Sequence, residues 1–308
     1  MTNRREFLRA TSLVAASAAL APLTAGAHQA ATKPAPLFQI SLAEWSLNHR
    51  IFGGQMTNLD FPAMARNEFG IDVVEYVNQF FMDKAEDATY LAVLKQRCDD
   101  SGVRSGLIMC DREGALGDPD SAARAAAIEN HYKWVTAAAY LGCHSIRVNA
   151  QSSGNFGAQL DFAVDGLRRL AEFGAQHKMN VIVENHGGLS SNGKWLASVI
   201  AQVDLPNCGT LPDFGNFNVT AEKPYDRYLG VAELMPFAKG VSAKTYGFDA
   251  QGNETTIDYP RIMRIVKDAG YSGYVGIEWE GKVPDEIQGI RLTKALLERI
   301  RKQLAASR

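Results

Sequence analysis

The chain has 308 residues, 46% of them hydrophobic and 21% charged, with a formal net charge of −2. That composition excludes a disordered, collagen-like or disulfide-framed chain and leaves an enzyme-sized globular protein with a single core. A near-neutral balance without blocks of Lys and Arg argues against nucleic acid or an acidic membrane surface as the partner.

The N-terminus reads as a targeting segment. Arg4 and Arg5 precede the apolar pair Phe7-Leu8, an Ala-rich run continues to about Leu23, and Ala25-Gly26-Ala27 fits an A-x-A cleavage site. The pattern resembles a twin-arginine export signal over residues 1–27. The apolar run is short for a bilayer of about 30 Å, so no membrane anchoring is expected after cleavage. Removing these residues takes away Arg4, Arg5, Arg9 and Glu6 and leaves 281 residues with 29 basic and 33 acidic side chains, a formal charge of −4. Twin-arginine cargo travels folded, so a periplasmic location is expected. Cys98, Cys110, Cys143 and Cys208 read as buried single thiols rather than pairs. Residues 28–36, with Pro34 and Pro36, read as a linker, and 37–308 as one domain.

Short β-branched or apolar runs then recur at intervals of roughly 30–40 residues. They are Phe38–Leu42, Ile71–Tyr76, Arg104–Met109, Ser145–Asn149, Asn180–Glu184, Gly209–Asp213, Gly240–Lys244 and Tyr274–Glu278. Between them, Tyr90–Ser101, Ala122–Leu141, Asp161–His177 and Tyr259–Ala269 carry apolar residues at helical spacing; Gly102, Gly142 and Gly270 supply stop signals. Alternation of this kind means parallel, buried strands. Eight repeats predict an α/β fold, a single (β/α)8 TIM barrel, with an open doubly wound sheet as the alternative. No G-x-G-x-x-G follows the first strand, so the dinucleotide-binding version of that alternative has no support.

In such a barrel the active site lies at the C-terminal ends of the strands. Strand two ends near Glu75, strand four at Arg147 and Asn149, and strand five at Glu184, followed by Asn185 and His186. Strand six ends at Asp213, followed by Asn216; strand seven ends at Lys244 and strand eight at Glu278. One carboxylate at a strand end is as often a helix cap or a loop salt bridge. Three converging carboxylates, Glu184, Asp213 and Glu278, would repel one another unless a cation sat between them. A divalent metal is the simplest solution, and oxygen donors favour Mg or Mn, with Zn as the alternative.

The strings Val181-Ile182-Val183-Glu184-Asn185-His186-Gly187-Gly188, Pro212-Asp213-Phe214-Gly215-Asn216 and Gly276-Ile277-Glu278-Trp279-Glu280-Gly281 resemble the xylose-isomerase-like TIM barrels. That superfamily includes sugar phosphate isomerases and epimerases, ketose 3-epimerases, inosose dehydratases and the endonuclease IV group. The resemblance runs from Phe38 to the C-terminal helix. It implies that Glu184, Asp213 and Glu278 correspond to three of the four usual metal ligands. The usual fourth, a histidine in a His-x-Lys pattern on strand seven, is replaced in Ser242-Ala243-Lys244, and the usual Asp-x-x-His after strand six reads Asp213-x-x-Asn216. His186 or Glu280 could complete the set, or the Lys244 ammonium could stand in for the metal.

These residues suggest a metal-assisted enzyme acting on a keto sugar or polyol. A carbonyl and its neighbouring hydroxyl, chelated together, acidify the C–H bond between them and stabilise an enediolate. Glu184 and Glu278 are the expected general bases, and Lys244 or His186 the stabiliser of the oxyanion. Glu75, Arg147, Asn149, Asn216, Trp45 and His49 are the expected substrate-binding residues. Trp45, Phe80, Phe81, Phe217 and Trp279 offer apolar faces for a sugar, although strand alternation turns Trp279 away from the barrel interior and returns Glu280 to the side of Glu278. His144, His131 and His177 fit structural roles. Reprotonation of the enediolate gives isomerisation or epimerisation; loss of a β-leaving group gives a lyase or, after water addition, hydrolysis of a 3-keto-glycoside. A non-catalytic carbohydrate-binding protein is a third reading. An endonuclease would need a histidine-rich zinc cluster and a basic face, which this chain lacks. The expected partner is therefore a small carbohydrate, with self-association left open.

Overall fold

Side-chain alternation on eight short strands builds the molecule. The computed structural model describes residues 36–306; the signal-peptide expectation at 1–27 and nearly all of the linker lie outside the described residues. The strands are β1 (Gln39–Ala43), β2 (Val73–Val77), β3 (Arg104–Met109), β4 (Ser145–Asn149), β5 (Asn180–Glu184), β6 (Cys208–Leu211), β7 (Val241–Thr245) and β8 (Tyr274–Trp279). They pair in parallel in the spatial order β6-β5-β4-β3-β2-β1-β8-β7. Between β6 and β7 the ring closes through single bridges. Ser242 N–H donates to the Pro212 carbonyl at 2.9 Å, and Phe214 N–H donates to the Ser242 carbonyl at 3.1 Å. The fold is the (β/α)8 barrel.

The helices that follow the strands are α1 (Phe61–Phe69), α2 (Ala88–Ser101), α3 (Ser121–Leu141), α4 (Phe156–Gln176), α5 (Gly193–Val203), α6 (Arg227–Leu234), α7 (Tyr259–Asp268) and α8 (Glu286–Ala306). Gly70, Gly102 and Gly142 end α1, α2 and α3 in the left-handed conformation that a side chain disfavours. Helix α4 begins five residues before the predicted Asp161, because Asn155 caps it by accepting the Ala158 N–H at 2.9 Å. Strand β6 ends at Leu211 rather than Asp213, since Pro212 has no N–H for the ladder.

Two apolar layers result. Outward residues of the strands and the inner helix faces form one large buried cluster, while Ala43, Val77, Leu107, Met109, Ile182 and Leu211 fill the barrel interior. Trp279 faces the outer layer, packed against Gly281, Gly289 and Phe248. All four cysteines are buried and unpaired. Among the described residues no helix is long and apolar enough to cross a membrane.

Candidate active site

Every second residue of a strand points into the barrel, so Glu184, Ser242 with Lys244, and Glu278 project inward from β5, β7 and β8. Asp213 joins them from the turn after β6, where its Oδ1 accepts the backbone N–H groups of Gly215 and Asn216, both at 2.8 Å. Oxygens of Glu184, Asp213 and Glu278 all lie within 4.8 Å of one another, and all three residues are buried.

Two internal cations and one hydroxyl hold this cluster. Ser242 Oγ lies 2.6 Å from Asp213 Oδ2 and 2.6 Å from Glu278 Oε2. Lys244 Nζ lies 3.5 Å from Asp213 Oδ2, 3.3 Å from Glu278 Oε1 and 3.4 Å from Glu280 Oε2. On the other side, Asn216 Nδ2 donates to Glu184 Oε1 at 2.8 Å, and Arg147 Nε sits 2.5 Å from Glu184 Oε2 without hydrogen-bond geometry. Arg147 also donates to Asp111 Oδ1 at 2.9 Å, which Asn149 Nδ2 approaches at 2.8 Å.

The charge states follow from these contacts. Burial drives the Asp213 carboxyl up, against the pull of Lys244. Glu278 is buried too, but Lys244 and Ser242 hold it below the usual range. Burial opposes the Lys244 ammonium, yet Asp213 and Glu278 keep it firmly protonated. Burial would likewise raise Asp111, but Arg147 and Asn149 bring it down to about 2. Glu75 rises to about 7, chiefly through burial.

This donor set fits a divalent cation. Ser242 has one proton for two carboxylate oxygens, so one of its short contacts needs either a carboxyl proton or a positive ion. Glu184 Oε2 is a buried oxygen with no hydrogen-bond donor. Three hard carboxylates with spare lone pairs can hold such an ion.

Above the cluster opens a cavity of about 690 Å³ lined by Trp45, Asp111, Arg147, Asn149, His186, Glu278 and Glu280 among others. Glu278 reaches this cavity; Glu184 and Asp213 are sealed beneath it, with no exposed surface. Of the expected substrate-binding residues, Trp45, Arg147 and Asn149 line the cavity, as does His186. Asn216 does not; its amide serves Glu184.

Two of the expected substrate-binding residues lie off the cavity. Glu75 is buried lower in the barrel, its Oε1 accepting from Ser41 Oγ at 2.5 Å and its carboxyl lying over Gly276, so it stands off the cavity. His49 is exposed and also stands off the cavity, because the chain leaves β1 through the 3₁₀ turn Glu44–Leu47 and the helical turn Asn48–Phe52 carries it outward. Of the five aromatic faces, Phe81, Phe217 and Trp279 pack in the outer core, whereas Phe80 stacks on Trp45 at 5.9 Å. Asp111 is one of the lining residues that motif reading missed. It continues the every-second-residue register of Leu107 and Met109 beyond the end of β3, and that register was its available signal.

Comparisons with known proteins agree with this architecture. Over 65 residues the chain is 42% identical to the C-glycoside deglycosidase alpha subunit of Arthrobacter globiformis, a stretch covering 21% of this chain and 18% of that protein. The chain thus matches less than a fifth of that relative's length. The apo crystal structure of 3-keto-D-glucoside 4-epimerase from E. coli superposes with a TM-score of 0.62 at 17% identity, covering 79% of this chain and 94% of that one. The structure of an L-ribulose 3-epimerase gives a TM-score of 0.67 at 15% identity, covering 88% and 96%. These likenesses establish a shared fold. The family model described as xylose isomerase-like TIM barrel matches residues 65–303, and the chain belongs to that family.

Proposed function

We propose that the protein is a carbohydrate enzyme that enolises a keto sugar, giving an isomer or epimer. The observation that carries this reading is the placement of an ionised, cavity-facing carboxylate, Glu278, beside a buried ammonium, Lys244, at 3.3 Å. Glu184, Asp213 and Glu278 would hold a divalent cation, Mg or Mn by their all-oxygen chemistry, which supplies Lewis-acid polarisation of the sugar's carbonyl and adjacent hydroxyl.

The chain's own groups do the proton work. Glu278 takes the proton from the carbon beside the carbonyl; the C–H electrons form the C=C bond, and the carbonyl oxygen gains the negative charge. His186 in the cavity wall stabilises that oxygen, while Lys244 Nζ, buried beside Glu278 and off the cavity, keeps that carboxylate ionised. Return of the proton to the other face of the same carbon gives an epimer, and its delivery to the former carbonyl carbon gives an isomer. Arg147, Asn149 and Asp111 form a fixed polar wall that orients hydroxyl groups. A substrate without phosphate suits the floor of the site, where Arg147 and Lys244 are already neutralised by carboxylates. A twin-arginine leader, which residues 1–27 resemble, would favour the same choice, because phosphorylated sugars are scarce in the periplasm.

A second reading is elimination: the enediolate expels a leaving group β to the carbonyl, cleaving a 3-keto-glycoside. The local identity with a deglycosidase subunit favours it. Incubation in D₂O with keto sugars and 3-keto-glycosides separates the outcomes. Deuterium in recovered substrate or isomer is expected for enolisation, and free aglycone for elimination. Sugar binding with neither label nor product would leave only a non-catalytic carbohydrate-binding protein.

A further inference from the structure

The cavity is larger than the chemistry at its floor requires. A volume of about 690 Å³ lies within the range of about 300–1,000 Å³ seen for drug-sized ligands, several times one sugar ring.

On the β1–β2 side stands an aromatic rim. Trp45 stacks on Phe80 with centroids 5.9 Å apart, and Phe52 meets both edge-on, at 6.1 Å from Trp45 and 5.2 Å from Phe80. Phe52 is 63% exposed, a large apolar side chain left in water by the fold. The rim is tied to the chemistry below it: Trp45 Nε1–H donates to Glu280 Oε1 at 2.7 Å, and Glu280 Oε2 is 3.4 Å from Lys244 Nζ. Next to this rim, from the turn after the neighbouring strand β3, Arg112 lines the cavity. Its backbone is left-handed, with φ of 62°, and its guanidinium has no acidic partner among the described residues. A non-glycine residue in that conformation holds its side chain at the mouth at a conformational cost.

We propose that this rim is a stacking platform for an aromatic aglycone, so that the substrate is an aryl glycoside whose sugar reaches the Glu278 floor. Flat π faces pair with Trp and Phe in offset or edge-on geometry, and a free guanidinium over the same ring adds to the attraction. The proposal rests on the sugar site described above and names what is attached to the sugar.

Tryptophan fluorescence gives a direct readout. Of the four tryptophans, Trp134, Trp195 and Trp279 are at most 1% exposed, so acrylamide quenching reports Trp45. Phenyl and methyl β-D-glucoside are the probes; neither carries the ketone, so binding is read without turnover. Calorimetry should show phenyl glucoside binding about three- to tenfold tighter than methyl glucoside. Phenyl glucoside should also shield Trp45 from acrylamide, and Phe52→Ala, an exposed change, should erase the preference. Equal affinities, tighter binding of a glucose disaccharide than of phenyl glucoside, or an unchanged preference in Phe52→Ala would overturn the platform while sparing the sugar site. Failure of every glucoside to bind would overturn the platform, while the D₂O incubation with keto sugars decides the sugar site on its own.

Discussion

Glu44 shows how one buried side chain writes a pH dependence into the fold. Its carboxylate sits behind β1 and β2, accepting Asn58 Nδ2 at 2.9 Å and 3.2 Å and the Val77 N–H at 3.0 Å. Burial outweighs these donors and pushes its pKa up to about 8. In the unfolded chain a glutamate ionises near pH ~4.3. Below that value both states are protonated and Glu44 carries no penalty. As pH rises, the unfolded chain releases the proton first, so stability falls until the folded pKa is passed. The loss is on the order of a few kcal/mol between about pH 4.5 and 8. Glu44→Gln, which cannot ionise, should lower stability at acid pH yet flatten the decline. Urea midpoints of both proteins from pH 5 to 8 check this, and parallel slopes would show that Glu44 is ionised throughout that range in the folded protein.

Elements matter because the two faces of a strand are coupled. Strand β8 carries Glu278 on the inside and Trp279 on the outside, and α8 lays Gly289 on the Trp279 indole. A methyl group at residue 289 would meet the ring. Gly→Ala within a helix gains up to about 1 kcal/mol in propensity, but overpacking a closed core costs about 1–3 kcal/mol, so the packing term wins. Gly289→Ala should therefore lower the melting temperature and, by pushing on β8, reduce turnover more than substrate affinity. A rise in melting temperature would show that the Trp279 ring has room to move. This coupling explains what the sequence could and could not reveal. The eight strands were legible because buried parallel strands are short apolar runs, and Glu184, Asp213 and Glu278 stood out as carboxylates at their ends. Helices α1, α5 and α6, of 9, 11 and 8 residues, went unassigned. The Ser242 bridge and the Asp111–Arg147 wall were hidden because they depend on which residues face one another across the barrel. His49 and Glu75 misled for a related reason: proximity to a strand end does not fix height or direction.

Across the whole molecule, the acidic cluster sits on the seam that closes the barrel. Ser242 makes the bridge between β6 and β7 with its backbone and touches Asp213 and Glu278 with its hydroxyl. Asp213 in turn accepts the N–H groups that shape the turn after β6, and its backbone N–H donates to Asn185 Oδ1 at 2.8 Å, across to the end of β5. A cation binding Glu184, Asp213 and Glu278 would therefore link β5, β6 and β8 over the closure and would bind only the folded chain. Mass action then adds stability of about 2.7 kcal/mol when the free ion is 100 times its dissociation constant. For a domain of this size each kcal/mol moves the melting temperature by about 2–4 °C, so saturating Mn or Mg should raise it by about 5–10 °C and a chelator should reverse the gain. The gain should vanish in Glu184→Gln, which leaves a neutral amide beside Arg147, and should fade toward acid pH as protons compete for the carboxylates. A melting temperature indifferent to Mn, Mg and Zn at neutral pH would instead assign the charge of this cluster to Lys244 and Arg147 alone.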